Sequence, residues 1–373
     1  MLSQYELKKK IGKVVEELGK QKLNLPVNNY PSDIKIEAEY DVVLLDESNP
    51  IKAPSLTQKS CKIVAIDSSS RYLRDASVNM VLVGVAAYSN NRGTLFGPYD
   101  VDTPFLGIST YTDVLSKLPN VEGVRVKNYI NEYFDEKYRI DDMADEIRIE
   151  TENIMLKQVK DEDLVIIDGP LYPTPLELSQ IKLEDESRIK HQRAYANLVK
   201  DRIRLLKKNI IGVVKRLENS YKLGKIEALG RLLNRNIKGL KDPEILKYIE
   251  YKLCGDKRIC LIGPIKMTFS SSLIPNAPDR FAYYLIIRNT LGMSSFFRIE
   301  SIDLQFLDDS TPYIVSRISE RLIPTYIEIV DNLSKKVSAS LFITAYPIAS
   351  RYLTIIHDDK LAYYDEIKNL ITS

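Results

Sequence analysis

Two hydrophobic patterns alternate along the chain. Apolar runs bounded by charged or turn residues predict buried strands, and apolar residues recurring every three or four positions predict amphipathic helices. Of the first kind are "KIVAID" (62–67), "SVNMVLVGVAAYS" (77–89), "DLVIID" (163–168), "NIIGVVKR" (209–216), "RFAYYLIIRN" (280–289) and "SFFRIESIDLQF" (295–306). The last two flank a turn at Gly292. Residues 40–45 and "ASLFIT" (339–344) predict shorter strands. A helix is predicted over 3–24, where Leu7, Ile11, Val14, Val15 and Leu18 share a face. Others are predicted over about 126–137, 142–159, 187–208, 312–334 and 346–367, with 220–260 helical and basic. Strands alternating with helices indicate an α/β domain. Residues 1–55, with four prolines after the first helix, read as an N-terminal extension.

Two of the predicted strands end in an acid, at Asp67 and Asp168. Chemistry in α/β sheets gathers at the carboxyl ends of strands. If the two strands are neighbours, about 4.8 Å apart, the carboxylates repel, and a divalent cation resolves the repulsion with hard oxygen ligands. The helix over 142–159 offers a third acid. Glu150 lies in the apolar stripe of Met143 and Ile147, a costly place for an unpaired carboxylate. Glu152 points roughly to the opposite side, and Ile149 and Leu156 form a second apolar line along the helix. Lys215, at the end of "NIIGVVK", could meet a phosphate there. Capped turns are the plainer reading of each acid alone; two matching strands favour a site.

Composition narrows the chemistry. The chain has 373 residues, 44% apolar and 28% charged, a soluble globular profile. No run approaches the roughly 18 apolar residues of a membrane span, and the charged N-terminus is not a secretory signal. Cys61, Cys254 and Cys260 match no zinc spacing and indicate a reducing compartment. With only His191 and His357, a site must rest mainly on Asp, Glu and Lys. Net charge is +2, yet residues 188–258 hold twenty Lys or Arg against seven Asp or Glu. That asymmetry suggests a polyanionic partner, or else a set of solvated helix faces.

In order, "AIDSSSR", a helix carrying Glu150, "VIIDGPL", "IIGVVKR" and a C-terminal "YP…H" resemble the NurA family of DNA-repair nucleases, over about residues 60–367. The resemblance implies a ribonuclease-H-like core, a mixed, partly curled sheet flanked by helices. It implies a nuclease domain over 56–373 with a basic helical insertion around 220–275. It assigns Asp67, Glu150 (or Glu152), Asp168 and His357 (or Asp358 or Asp359) to one or two Mn²⁺ ions, with Mg²⁺ possible, and Lys215 to the phosphate. Arg71, Arg216, Arg298 and Tyr346 are the residues we then expect on DNA. The family further implies a homodimer, a HerA-type hexameric ATPase partner, DNA end resection and a cytoplasmic setting. The serines of "DSSS", the proline of "DGPL" and the long gap from Tyr346 to His357 depart from the family pattern. They keep a second reading open, an inactive DNA-binding or assembly subunit. A third is an actin- or sugar-kinase-like ATPase, with "DSSS" as its phosphate loop.

Overall fold

Apolar runs that can be covered on both faces become the central strands of a single mixed sheet. The structure, a computed structural model, describes residues 3–21, 41–57, 60–160, 162–175, 178, 183, 185–290 and 293–372. The strands are β1 (Asp41–Leu44), β2 (Ile51–Lys52), β3 (Ile63–Arg74), β4 (Asn79–Ser89), β5 (Gly93–Gly97) and β6 (Leu106–Ser109). They continue as β7 (Val124–Arg125), β8 (Leu164–Asp168), β9 (Ile210–Val214), β10 (Ile259–Thr268), β11 (Arg280–Arg288) and β12 (Ser294–Ser301). The helices are α1 (Gln4–Gln21), α2 (Thr112–Leu115), α3 (Ile140–Gln158), α4 (Glu186–Leu205) and α5 (Glu227–Leu233). After them come α6 (Asp242–Leu253), α7 (Leu304–Val315), α8 (Thr325–Ala349) and α9 (His357–Thr372).

The sheet order is β1-β10-β11-β12-β9-β8-β3-β4-β6-β7, with β2 on β10 and β5 on β4. At its centre β3, β8 and β9 run parallel, while β4 and β6 continue antiparallel on one side and β12 on the other. Strand alternation then sorts the side chains. Ile66, Ile167 and Val214 face a cluster shared with residues of α3, α4, α5 and α6. Ala65, Ile166 and Val213 face the opposite cluster, under α7 and the start of α8. The apolar face of α1 is fully buried against α8, β4 and β6.

Several expectations are corrected. β3 does not end at Asp67 but runs on to Arg74, paired throughout with β4. "ASLFIT" is helical within α8: Leu341, Phe342 and Ala345 are buried because that helix packs between the sheet and α1, and a short apolar run does not distinguish the two states. The helix expected over 312–334 is two helices, α7 and α8. Residues 126–137 hold turns and a bridge between Lys127 and Tyr133 instead of a helix. The basic segment after β9 is helical through α6, but β10 then joins the sheet between β1 and β11. The end of α6 and the start of β10 bring Cys254 and Cys260 to a Cα separation of 6.1 Å, within disulfide range. Gly292 lies outside the described residues.

Candidate metal centre

The register of β3 on β8 pairs Ile66 with Ile167, which makes Asp67 and Asp168 lateral neighbours on the α8 side of the sheet. β8 stops at Asp168; Gly169 follows at φ +126°, a backbone that favours glycine and turns the chain away. The segment leaving the strand is pinned from below. Leu171 N–H donates to Glu300 at 2.7 Å, and the Glu300 carboxylate lies between Arg280 (2.9 Å) and Arg298 (3.1 Å).

α8 supplies the third acid. At Gly84 on β4 a Cβ would come within 2.8 Å of Val337 and Ser338, so the missing side chain lets α8 lie close on the sheet. That seating brings Asp331 to the two strand acids. Asp67, Asp168 and Asp331 each offer a carboxylate oxygen within 4.8 Å of one another. Lys215, leaving β9, lies 2.6 Å from Asp168 and 3.3 Å from Asp331. Lys335, one turn along α8, is 2.6 Å from Asp331. Ser334 donates to Asp67 at 2.5 Å.

Burial and the Asp168 charge push Asp67 up to about 8, against a smaller pull down from Ser334. Burial also raises Asp168, to about 6, with Lys215 opposing it. Burial works on Asp331 too, but Lys335 and Lys215 outweigh it and hold its carboxyl below the usual range. Between those values the Asp67–Asp168 pair retains one proton, as close buried carboxylates do. Three hard oxygen donors with no sulfur among them suit Mg²⁺ or Mn²⁺; the residues fit such an ion.

Glu150 is not part of this cluster. Its stripe, with Met143 and Ile147, faces the β4 and β6 side, and its carboxylate pairs with Arg125 of β7 at 2.7 Å. The second apolar line, Ile149 and Leu156, faces the central strands and carries Glu152 with it. Glu152 accepts from Ser68 (2.5 Å) and Arg202 (2.7 Å), and half-buried Arg148 donates to Ser68 O at 2.9 Å. Glu152 thus braces the residue after Asp67 from the opposite face. The serines of "DSSS" are strand residues, not a phosphate-binding turn.

His357 does not reach the acids. It opens α9, exposed, beside the far end of β3, where Asp359 pairs with Arg74 at 2.6 Å. Seven residues of strand from Asp67 to Arg74 span about 23 Å. Tyr346 is also remote, fifteen residues or about 22 Å along α8 from Asp331, and stacks on Tyr363 at 4.1 Å. Arg298 is fully buried on Glu300, so it cannot meet DNA. Arg71 is held by Glu366 at 2.7 Å. Arg216 is exposed, next to Lys215.

Asp331 had escaped the pattern reading. It sits i+4 from Ile327 and beside Val330, both fully buried, the same apolar-stripe signal that marks Glu150.

Three crystal structures are similar in fold. The NurA nuclease from Sulfolobus solfataricus is 14% identical, covers 78% of this chain and 83% of its own, and has a TM-score of 0.43. NurA with manganese is 8% identical, with 75% and 87% coverage and a TM-score of 0.42. NurA bound to dAMP and manganese is 9% identical, with 75% and 85% coverage and a TM-score of 0.41. No curated protein matches the sequence. The NurA domain family matches residues 61–335, most of the chain, and the protein belongs to that family.

Proposed function

We propose that this chain is a metal-dependent DNA nuclease that hydrolyses phosphodiester bonds, with Mn²⁺ or Mg²⁺ held by Asp67, Asp168 and Asp331. The observation that carries the reading is the arrival of Asp331, from a helix, beside two strand-borne acids, so that three carboxylates offer oxygens within 4.8 Å of one another. Family membership adds the reaction class. A bound divalent ion would supply a water of lowered pKa and a Lewis acid at the phosphate.

The chain's own residues do the rest. Ser334 fixes the Asp67 carboxylate by hydrogen bond. Lys215 places an ammonium at the mouth of the acids, where it can meet the phosphate or the leaving oxygen. Arg216, exposed one residue on, offers a backbone-phosphate contact. The Arg148–Ser68–Glu152–Arg202 network keeps β3 in register under the site. The order β6-β4-β3-β8-β9, antiparallel then parallel about β3, supports the ribonuclease-H-like core. Action at DNA ends with a HerA-type hexameric ATPase, as a homodimer in the cytoplasm, completes the proposal. No helix among the described residues is long and apolar enough to cross a membrane.

The test is digestion of labelled linear DNA with Mn²⁺. Wild type should digest it, EDTA should stop it, and Asp168→Asn and Asp331→Asn should each lose at least about a hundredfold. A rate unaffected by EDTA, or by Asp331→Asn, overturns the reading.

A further inference from the structure

The structure divides the basic stretch 188–258 into two parts of different character. On α4 much of the charge is neutralised internally: Arg188 pairs with Asp142, Lys190 with Asp135 and Arg202 with Glu152. Beyond β9, Lys215 and Lys247 are also paired, but the connection between α5 and α6 differs. A cavity of about 1040 Å³ opens between α5, the turn before it and the connection to α6. Tyr221, Lys225, Arg231, Arg235 and Lys238 line it, with Glu227 as the acid. Among the described residues Arg231 reaches exposed carboxylates, Glu47 at 3.1 Å and Glu227 at 4.0 Å, which hold it weakly. Among the described residues no carboxylate pairs with Arg235 or Lys238, and Arg235 lies over the Tyr248 ring at 4.0 Å.

We infer that this cavity is an accessory subsite for unpaired DNA, separate from the metal centre. The inference rests on the nuclease reading for the identity of its polyanion. Cations that no carboxylate holds, here Arg235 and Lys238, can track phosphates, and an exposed tyrosine offers a face for a base. Tyr221 is 41% exposed at the cavity edge. A concave site admits splayed nucleotides, whereas a duplex presents a convex cylinder. The subsite also lies within reach of the centre. Six residues separate Lys215 from Tyr221, at most about 20 Å of chain, with exposed Arg216 between them. The chain thus holds the edge of the cavity within about 20 Å of Lys215. The subsite holds the strand and leaves the chemistry to the centre.

The experiment is fluorescence anisotropy of a labelled single-stranded oligonucleotide with the full chain in EDTA, titrated at several salt concentrations. Arg235→Glu with Lys238→Glu should weaken binding at least about tenfold and lower the salt slope by about 1.4, two phosphate contacts on a single strand. Mn²⁺-dependent hydrolysis of bis(p-nitrophenyl) phosphate, small enough to need the centre alone, should be unchanged in the same variant. If the double reversal fails to fold, Arg235→Gln with Lys238→Gln carries the test, with the same loss of slope. Wild-type affinity and slope in the folded variant overturn the inference, and leave the patch to an acidic protein surface. Salt-sensitive DNA binding that the reversal weakens, without hydrolysis of the small ester by wild type, sinks the nuclease reading and leaves the subsite standing.

Discussion

Asp67→Asn should stabilise the metal-free protein, and by an amount that grows with pH. The Asp67 carboxyl titrates at about 8 in the folded chain against an ordinary 3.8. An acid with a raised folded value favours the fold fully below its unfolded value, and that contribution is lost as pH rises through the folded one. The wild type therefore loses stability between about pH 4 and pH 8, while asparagine, always neutral, does not. At about 1.36 kcal/mol for each tenfold change in proton affinity, the advantage of Asn over Asp widens by roughly 3–4 kcal/mol from about pH 5 to pH 8. The altered Ser334 hydrogen bond enters equally at both pH values and cancels. Unfolding entropy of about 2.1 cal/mol/K per residue makes this a widening of about 4–5 °C in Tm for 373 residues. Differential scanning calorimetry of both proteins in EDTA reads it directly. A Tm difference that stays constant across that range would refute the reasoning, because the burial and the Asp168 repulsion that raise Asp67 would then be absent.

Glu150→Gln should change stability by less than about 1 kcal/mol, as its partner Arg125 is partly exposed. Glu152→Gln should cost about 2–4 kcal/mol by denaturant unfolding, because it strips a carboxylate from buried Arg202. Lys215→Met should lower the rate of DNA hydrolysis about a hundredfold or more, while calorimetry shows Mn²⁺ binding at least as tight, since a competing cation is gone. Arg298→Ala should destabilise by about 3–5 kcal/mol and leave the salt slope of DNA binding unchanged, as a residue fully buried on Glu300 makes no phosphate contact.

What was readable in the chain follows from how local each signal is. "IVAID" and "LVIID" carry their burial and their acid in one short run, and parallel pairing then places Asp67 beside Asp168 without further information. Glu150 and Glu152 were harder, because α3 is buried along two lines and only the tertiary packing decides which line faces β3. Asp331 carries the same apolar-stripe signal as Glu150, but its approach to the strand acids depends on how α8 sits on the sheet. Residues 312–334 read as one helix and "ASLFIT" as a strand, so α8 was cut in two and its seating on Gly84 could not be foreseen. Likewise Arg298 alternates as a solvent-facing strand residue would, but a second layer of helices covers that face and Glu300 awaits it. His357 and Tyr346 drew attention by residue type, whereas their distance from the acids is a property of the length of β3 and α8.

The most direct test is a crystal structure of the protein soaked in Mn²⁺, with anomalous scattering to locate the ion. The account predicts a peak at oxygen-ligand distance, roughly 2.0–2.6 Å, from Asp67, Asp168 and Asp331 together, with the Lys215 ammonium displaced from Asp168. A peak on Glu150 or His357, or none at the three aspartates under saturating Mn²⁺, would contradict it.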